Sequence, residues 1–174
     1  MADVYAVFGT LLALGIAFPG LLTGSWLLFP AAVGRARVRI GATPVRSFFF
    51  GVASVILTAV LVALLNALPL GITKLAGTLI VFGAFGVATL GSAAIADEMG
   101  DRLREQGLPS ISRAGAFLRG AVALELAAIF PIVGWFLVIP GVLLAGYGAG
   151  VFALLHWLPR GRLAPRPEAV PAQA

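Results

Sequence analysis

The chain has 174 residues, of which 60% are hydrophobic and only 11% charged, with a mean hydropathy of +1.05. A soluble domain carries nearer ~25% charged residues, so this is the composition of an integral membrane protein. The net charge of +5 comes from arginines lying between apolar runs, which a bilayer explains without nucleic acid, and the lack of cysteine excludes disulfides, cysteine metal sites and thiol chemistry.

The first apolar run, about 4–29, reads as a retained span. It opens Met1-Ala2-Asp3 without a basic stretch and stays uncharged to Gly34, unlike a secretory signal. Pro19 predicts a kink, with Thr23 or a neighbouring helix able to bond the carbonyl it frees. Gly20 and Gly24 have the spacing that lets another helix approach closely. Arg35, Arg37, Arg39 and Arg46 follow, around a turn at Thr43-Pro44. A second span over about 47–68 ends at Pro69 and Gly71, which permit a tight reversal into a third over about 72–94.

Residues 96–107 mix acids with Arg102 and Arg104 and predict a short, solvated polar helix stopped by Gly107 and Pro109. Nearby arginines oppose its acids, a plainer account than a metal site. Ser110 or Ser112 caps a fourth span, about 113–130. From residue 126 to residue 159 there is no charged side chain. The apolar stretch 114–157 is too long for one crossing at roughly 20 residues each, so a turn at 131–134 introduces a fifth span over about 134–157. The membrane domain covers 1–158, and the proline- and arginine-containing tail 159–174 is expected to be mobile.

The second and third spans resemble the fourth and fifth as helical hairpins, each starting after an arginine and reversing at a proline followed by glycine. The small-residue stripes around Gly83 and Gly86 in one and Gly146 and Gly150 in the other, with Gly20 and Gly24, are candidate packing surfaces. With five spans, Arg35, Arg37, Arg39, Arg46, Arg102, Arg104, Arg113, Arg160, Arg162 and Arg166 share one side, Arg119 can snorkel to it, and only Lys74 lies opposite. The positive-inside rule then makes the N-terminus external and the C-terminus cytoplasmic. The predicted fold is all-α: a polytopic integral membrane bundle of five transmembrane helices, two hairpins after an N-terminal span.

Few residues could carry chemistry. Glu125 lies six residues before Pro131, about 9 Å along a helix axis from the outer end, and Lys74 is placed at a comparable depth. The two form a candidate intramembrane pair. Its functional reading is a proton or cation relay; the plainer one is a structural ion pair, or a protonated Glu125 hydrogen-bonded to a hydroxyl. Arg35, Arg37, Arg39 and Arg119 are candidate contacts to lipid headgroups. A lone His156 at the inner interface cannot supply paired haem ligation, so no pigment or other cofactor is expected beyond bound lipid. No hydrolase, zinc-protease or phosphate-loop motif is present, and no metal site or catalytic residue is assigned.

Leu28-Phe29-Pro30, the arginine cluster, Thr43-Pro44-Val45-Arg46-Ser47, Phe117-Leu118-Arg119-Gly120, Pro131-Ile132-Val133-Gly134-Trp135 and Gly146-Tyr147-Gly148 together resemble the C-terminal membrane module of bactofilin-related, polymer-forming bacterial cytoskeletal proteins. The β-helical polymerising domain of that family has no counterpart in this sequence. The resemblance implies a membrane anchor or scaffold in a bacterial inner membrane. The functional expectation is therefore a non-enzymatic scaffold, anchor or accessory subunit packed against lipids and a membrane protein partner, or self-associated as a homo-oligomer. The alternative is a small transporter or channel subunit using Glu125 and Lys74.

Overall fold

The computed structural model describes residues 2–107 and 111–156. Six α-helices make up the described chain: α1 (Ala2–Leu28), α2 (Pro30–Ala42), α3 (Pro44–Ala67), α4 (Gly71–Gly107), α5 (Arg113–Ile129) and α6 (Ile139–Leu154), with a π-helical turn over Gly134–Val138 leading into α6. Among the described residues, three stretches are long and apolar enough to cross a membrane: α3, α4 and the continuous Gly134–Leu154. The count is four if Gly15–Leu28 and Pro30–Ala42, bent by 106° at their junction, are taken as one broken span. Helix α5 is only 17 residues long. The tail 159–174, Trp157 and the arginines at 160, 162 and 166 lie outside the described residues.

Three features differ from expectation. The arginine segment before the Thr43-Pro44 turn, given no helix from the sequence, is a 13-residue helix, started by Pro30 at its first turn and buried along Ala32, Val33 and Ala36 against the bundle. The acidic segment is not a separate helix but the last third of α4, which runs unbroken for 37 residues. No proline or β-branched run interrupts the sequence between the apolar and polar parts of α4, so helix propensity carries it out of its apolar part. It stops at Gly107, as read from the sequence, and Ser112 caps α5 by accepting the amide of Gly115 at 3.2 Å. Thr23 does not serve the carbonyl that Pro19 frees. Its hydroxyl donates to the Pro19 carbonyl at 2.7 Å, because that oxygen lies one turn below it.

The core is built of small residues. Ala93, Ala94, Ala96, Ala121, Ala149 and Ala153 are almost completely buried, and the larger Leu22, Val33 and Phe117 plug the gaps between them. Large side chains such as Leu57, Ile72, Phe82 and Phe136 point outward instead. In a lipid solvent an exposed leucine costs nothing, and close backbone approach supplies the packing energy.

Three crossings depend on glycine at the contact point. A Cβ on Gly91 would collide with the backbone of Gly146, fastening α4 to α6. Gly51 faces the backbone of Leu144 and Gly148 meets that of Ser47, fastening α3 to α6. Gly100 against Ala116 and Gly120 against Ala96 do the same for α4 and α5. The stripe Gly146 and Gly150 is thus used within the chain, Gly150 lying against Val87, whereas Gly20, Gly24, Gly83 and Gly86 meet open space.

Candidate functional site

Arginines and acids separated widely in sequence meet where α2 crosses the end of the apolar part of α4. Arg37 projects from α2 into three carboxylates: Nη1 lies 3.0 Å from Asp97 Oδ2, Nε donates to Glu98 Oε2 at 3.1 Å, and Nη2 lies 2.5 Å from Asp101 Oδ2. Asp97, Glu98 and Asp101 share a helix face because they are one and four residues apart on α4. Asp97 is only 3% exposed, and Arg113 at the start of α5 approaches it at 3.8 Å. Arg102 pairs with Glu98 on the outer side at 3.1 Å. The acids predicted to be solvated are therefore partly buried, and their chief partner comes from a helix some sixty residues away in sequence. Burial alone would lower the pKa of the Arg37 guanidinium. The hydrogen bond to Asp101, the charge of Asp97 and the bond to Glu98 outweigh burial and hold the group above its ordinary value.

The other α2 arginines differ in their surroundings. Arg35 Nε donates to the Ala153 carbonyl at 2.9 Å, at the end of α6 where helix carbonyls lack internal partners. Arg39 lies over the ring of Phe152, its guanidinium carbon 3.9 Å from the ring centre, and its Nε is buried without a hydrogen-bond partner. Burial, and then the charge of Arg46, push the Arg39 guanidinium below its ordinary value. Of the four predicted headgroup contacts, Arg35 and Arg37 are engaged inside the protein, while the exposed Arg119 and the stacked Arg39 face no carboxylate among the described residues. Trp26 stacks on Phe117 at 4.9 Å.

Glu125 and Lys74 are not brought together. Helices α4 and α5 pack with Gly100 beside Ala116 and Ala96 beside Gly120, and continuing that antiparallel register sets Glu125 beside the Gly91 to Ser92 turn. Lys74 lies about 17 residues away along α4, or roughly 25 Å at 1.5 Å per residue. The sequence count took the two hairpin turns to be level, but α5 is far shorter than α4 and ends beside its middle. Glu125 instead opens onto an apolar cavity of about 600 Å³ between α1, α5 and α6. No protein-family profile matches the chain, and no curated protein or solved structure shows similarity to it. The site therefore has to be read from its own geometry.

A second cavity of about 720 Å³ opens between α3, α4 and α6 and is lined by apolar groups apart from Thr58 and Tyr147. Those two hydroxyls bond each other at 2.9 Å, and Thr58 also donates to the Ser54 carbonyl at 2.8 Å. Tyr147 thus bonds across helices, from α6 to α3. Tyr147→Phe removes this α3 to α6 bond and is expected to lower stability by about 0.6 kcal/mol, the typical size of such a bond in a membrane protein; a melting series in bicelles checks it. His156, at the end of the described chain, adopts a left-handed backbone (φ 56°), and its Nδ1 lies 3.0 Å from the Leu154 carbonyl.

Proposed function

We propose that the chain is a non-enzymatic accessory or scaffold protein of a bacterial inner membrane that packs against a membrane protein partner. It would cross five times, with the N-terminus outside and the C-terminus in the cytoplasm. The orientation is supported by the gathering of Arg35, Arg37, Arg39 and Arg113 at one end of the bundle, with Lys74 towards the other. Helix α2, turned by 106° from α1, would then lie along the cytoplasmic surface. For five crossings, α5 has to complete its passage through the turn 130–133 and the π-helical segment.

The observation that carries the reading is the division among the glycines. Those at the internal crossings have a neighbouring backbone where a Cβ would be, whereas Gly83 and Gly86 have nothing within reach. They share an outward strip of α4 with the exposed Leu79 and Phe82. Such a strip admits the backbone of another transmembrane helix at close range, and Gly20 and Gly24 on α1 offer the same opening. A transporter using Glu125 and Lys74 jointly has less support, given their separation along the bundle.

Converting both Gly83 and Gly86 to leucine tests this. The purified chain is expected to keep its melting temperature, while the complex it forms in native membranes shrinks on a blue native gel. A complex of unchanged size would remove the α4 strip as the docking face.

A further inference from the structure

The Glu125 cavity has one polar feature. Gly15 and Phe18 line it from α1, Ala128 from α5, and Val138 and Val142 from the π-helical turn and α6. The carboxylate reaches across to α1, where its Oε1 lies 3.2 Å from the position a Cβ would take on Gly15, so a bare glycine makes room for it. No described residue gives Glu125 a hydrogen bond or an opposite charge. The facing turns of α4, from Ala88 to Ala96, hold no ionisable group, nor do the described turns of α1 from Gly15 to Leu28. On α6 the only titratable side chain is Tyr147, engaged with Thr58 in the other cavity. On α5 itself the nearest is Arg119, exposed and well over a turn away.

A lone carboxylate in apolar surroundings is relieved in two ways, by a proton or by a cation. A small hydrated metal ion does not suit this cavity, because the walls offer no further oxygen ligands to replace its water. A large cation that carries its own apolar surface does suit it. The volume falls in the range of pockets that enclose drug-sized ligands, and such pockets are mostly apolar with a few polar groups that fix orientation. We infer that the cavity between α1, α5 and α6 is a binding site for a lipophilic organic cation, held by charge pairing with Glu125. This does not depend on the packing strip of α4, which lies on another part of the molecule.

The exchange balances simply. When the cation enters a site whose carboxyl is protonated, the Glu125 O–H bond breaks, the proton leaves to water, and the cation takes its place beside the carboxylate. One proton is released per cation bound. Affinity then rises with pH, by up to about tenfold per unit while the empty site remains protonated.

The full chain in phosphatidylcholine nanodiscs, titrated with radiolabelled tetraphenylphosphonium, tests this, because the permanent charge of the probe does not vary with pH. Saturable binding above empty nanodiscs is expected, with about one proton released per cation in weakly buffered solution. Glu125→Gln is expected to weaken binding at least tenfold while keeping the melting temperature of the parent. Should that variant fail to fold, Val142→Phe leaves the carboxyl in place, fills the cavity and is expected to weaken binding similarly. Equal binding by a folded Glu125→Gln or Val142→Phe protein, saturable binding without proton release, or no binding above empty nanodiscs would each overturn the assignment.

Discussion

Replacing Arg37 with alanine is expected to destabilise the protein by about 3 kcal/mol, since removing one partner of a buried ion pair leaves the other charge without compensation. The main cost falls on Asp97, which is 3% exposed and would keep only the longer contact with Arg113 at 3.8 Å. Glu98 and Asp101, each about a quarter exposed, can turn to water and contribute less. The double variant Arg37→Ala, Asp97→Asn is therefore expected to melt higher than Arg37→Ala alone, because the stranded charge is gone. A thermal series on the parent, both single variants and the double variant closes the cycle, and a double variant no better than Arg37→Ala would show that Asp97 is not the group left exposed to the loss. Arg37 is held above its already high ordinary value, so its contribution is present below that value and is lost only as pH rises past its folded pKa. Mild alkali should leave the contact between α2 and α4 intact.

A loss of similar size is expected at Gly91. A methyl group there meets the backbone of Gly146, which cannot move aside as a flexible side chain would. Even alanine must push α4 and α6 apart, and this opens the alanine-lined core around Ala93, Ala94 and Ala149. Gly91→Ala is expected to cost on the order of 3 kcal/mol, the upper part of the range for overpacking a tight core, and Gly91→Leu should abolish folding. Gly83→Ala on the same helix is the control. It meets open space and should be neutral or gain up to about 1 kcal/mol from helix propensity. Reversible unfolding in bicelles separates the two. Similar values at both positions would mean that the crossing of α4 and α6 does not depend on its glycine.

Glycines 83 and 91 also show where sequence reasoning stops. Both sit in α4 among small apolar residues, and nothing in their immediate neighbours tells the buried one from the open one. The sequence singles out Gly20, Gly24, Gly83, Gly86, Gly146 and Gly150 but not Gly51, Gly91, Gly100 or Gly120, because spacing along one helix does not say which face a partner covers. Gly146 and Gly150 proved to be contact positions, but between helices of the same chain.

What the residues determined alone was the solvent and the long apolar helices. Hydropathy and charge placement delimited the apolar runs, and Pro30, Pro44, Gly107 and Ser112 ended or began helices for reasons of backbone chemistry that act within a turn. Only the tertiary structure decided that Arg37 closes onto Asp97 from across the chain, that Lys74 and Glu125 stand far apart, and that Glu125 opens onto a cavity. Each of these depends on the register between helices. In this protein that register is set by backbone contacts at glycine, which leave no periodic pattern of side chains in the sequence to be read.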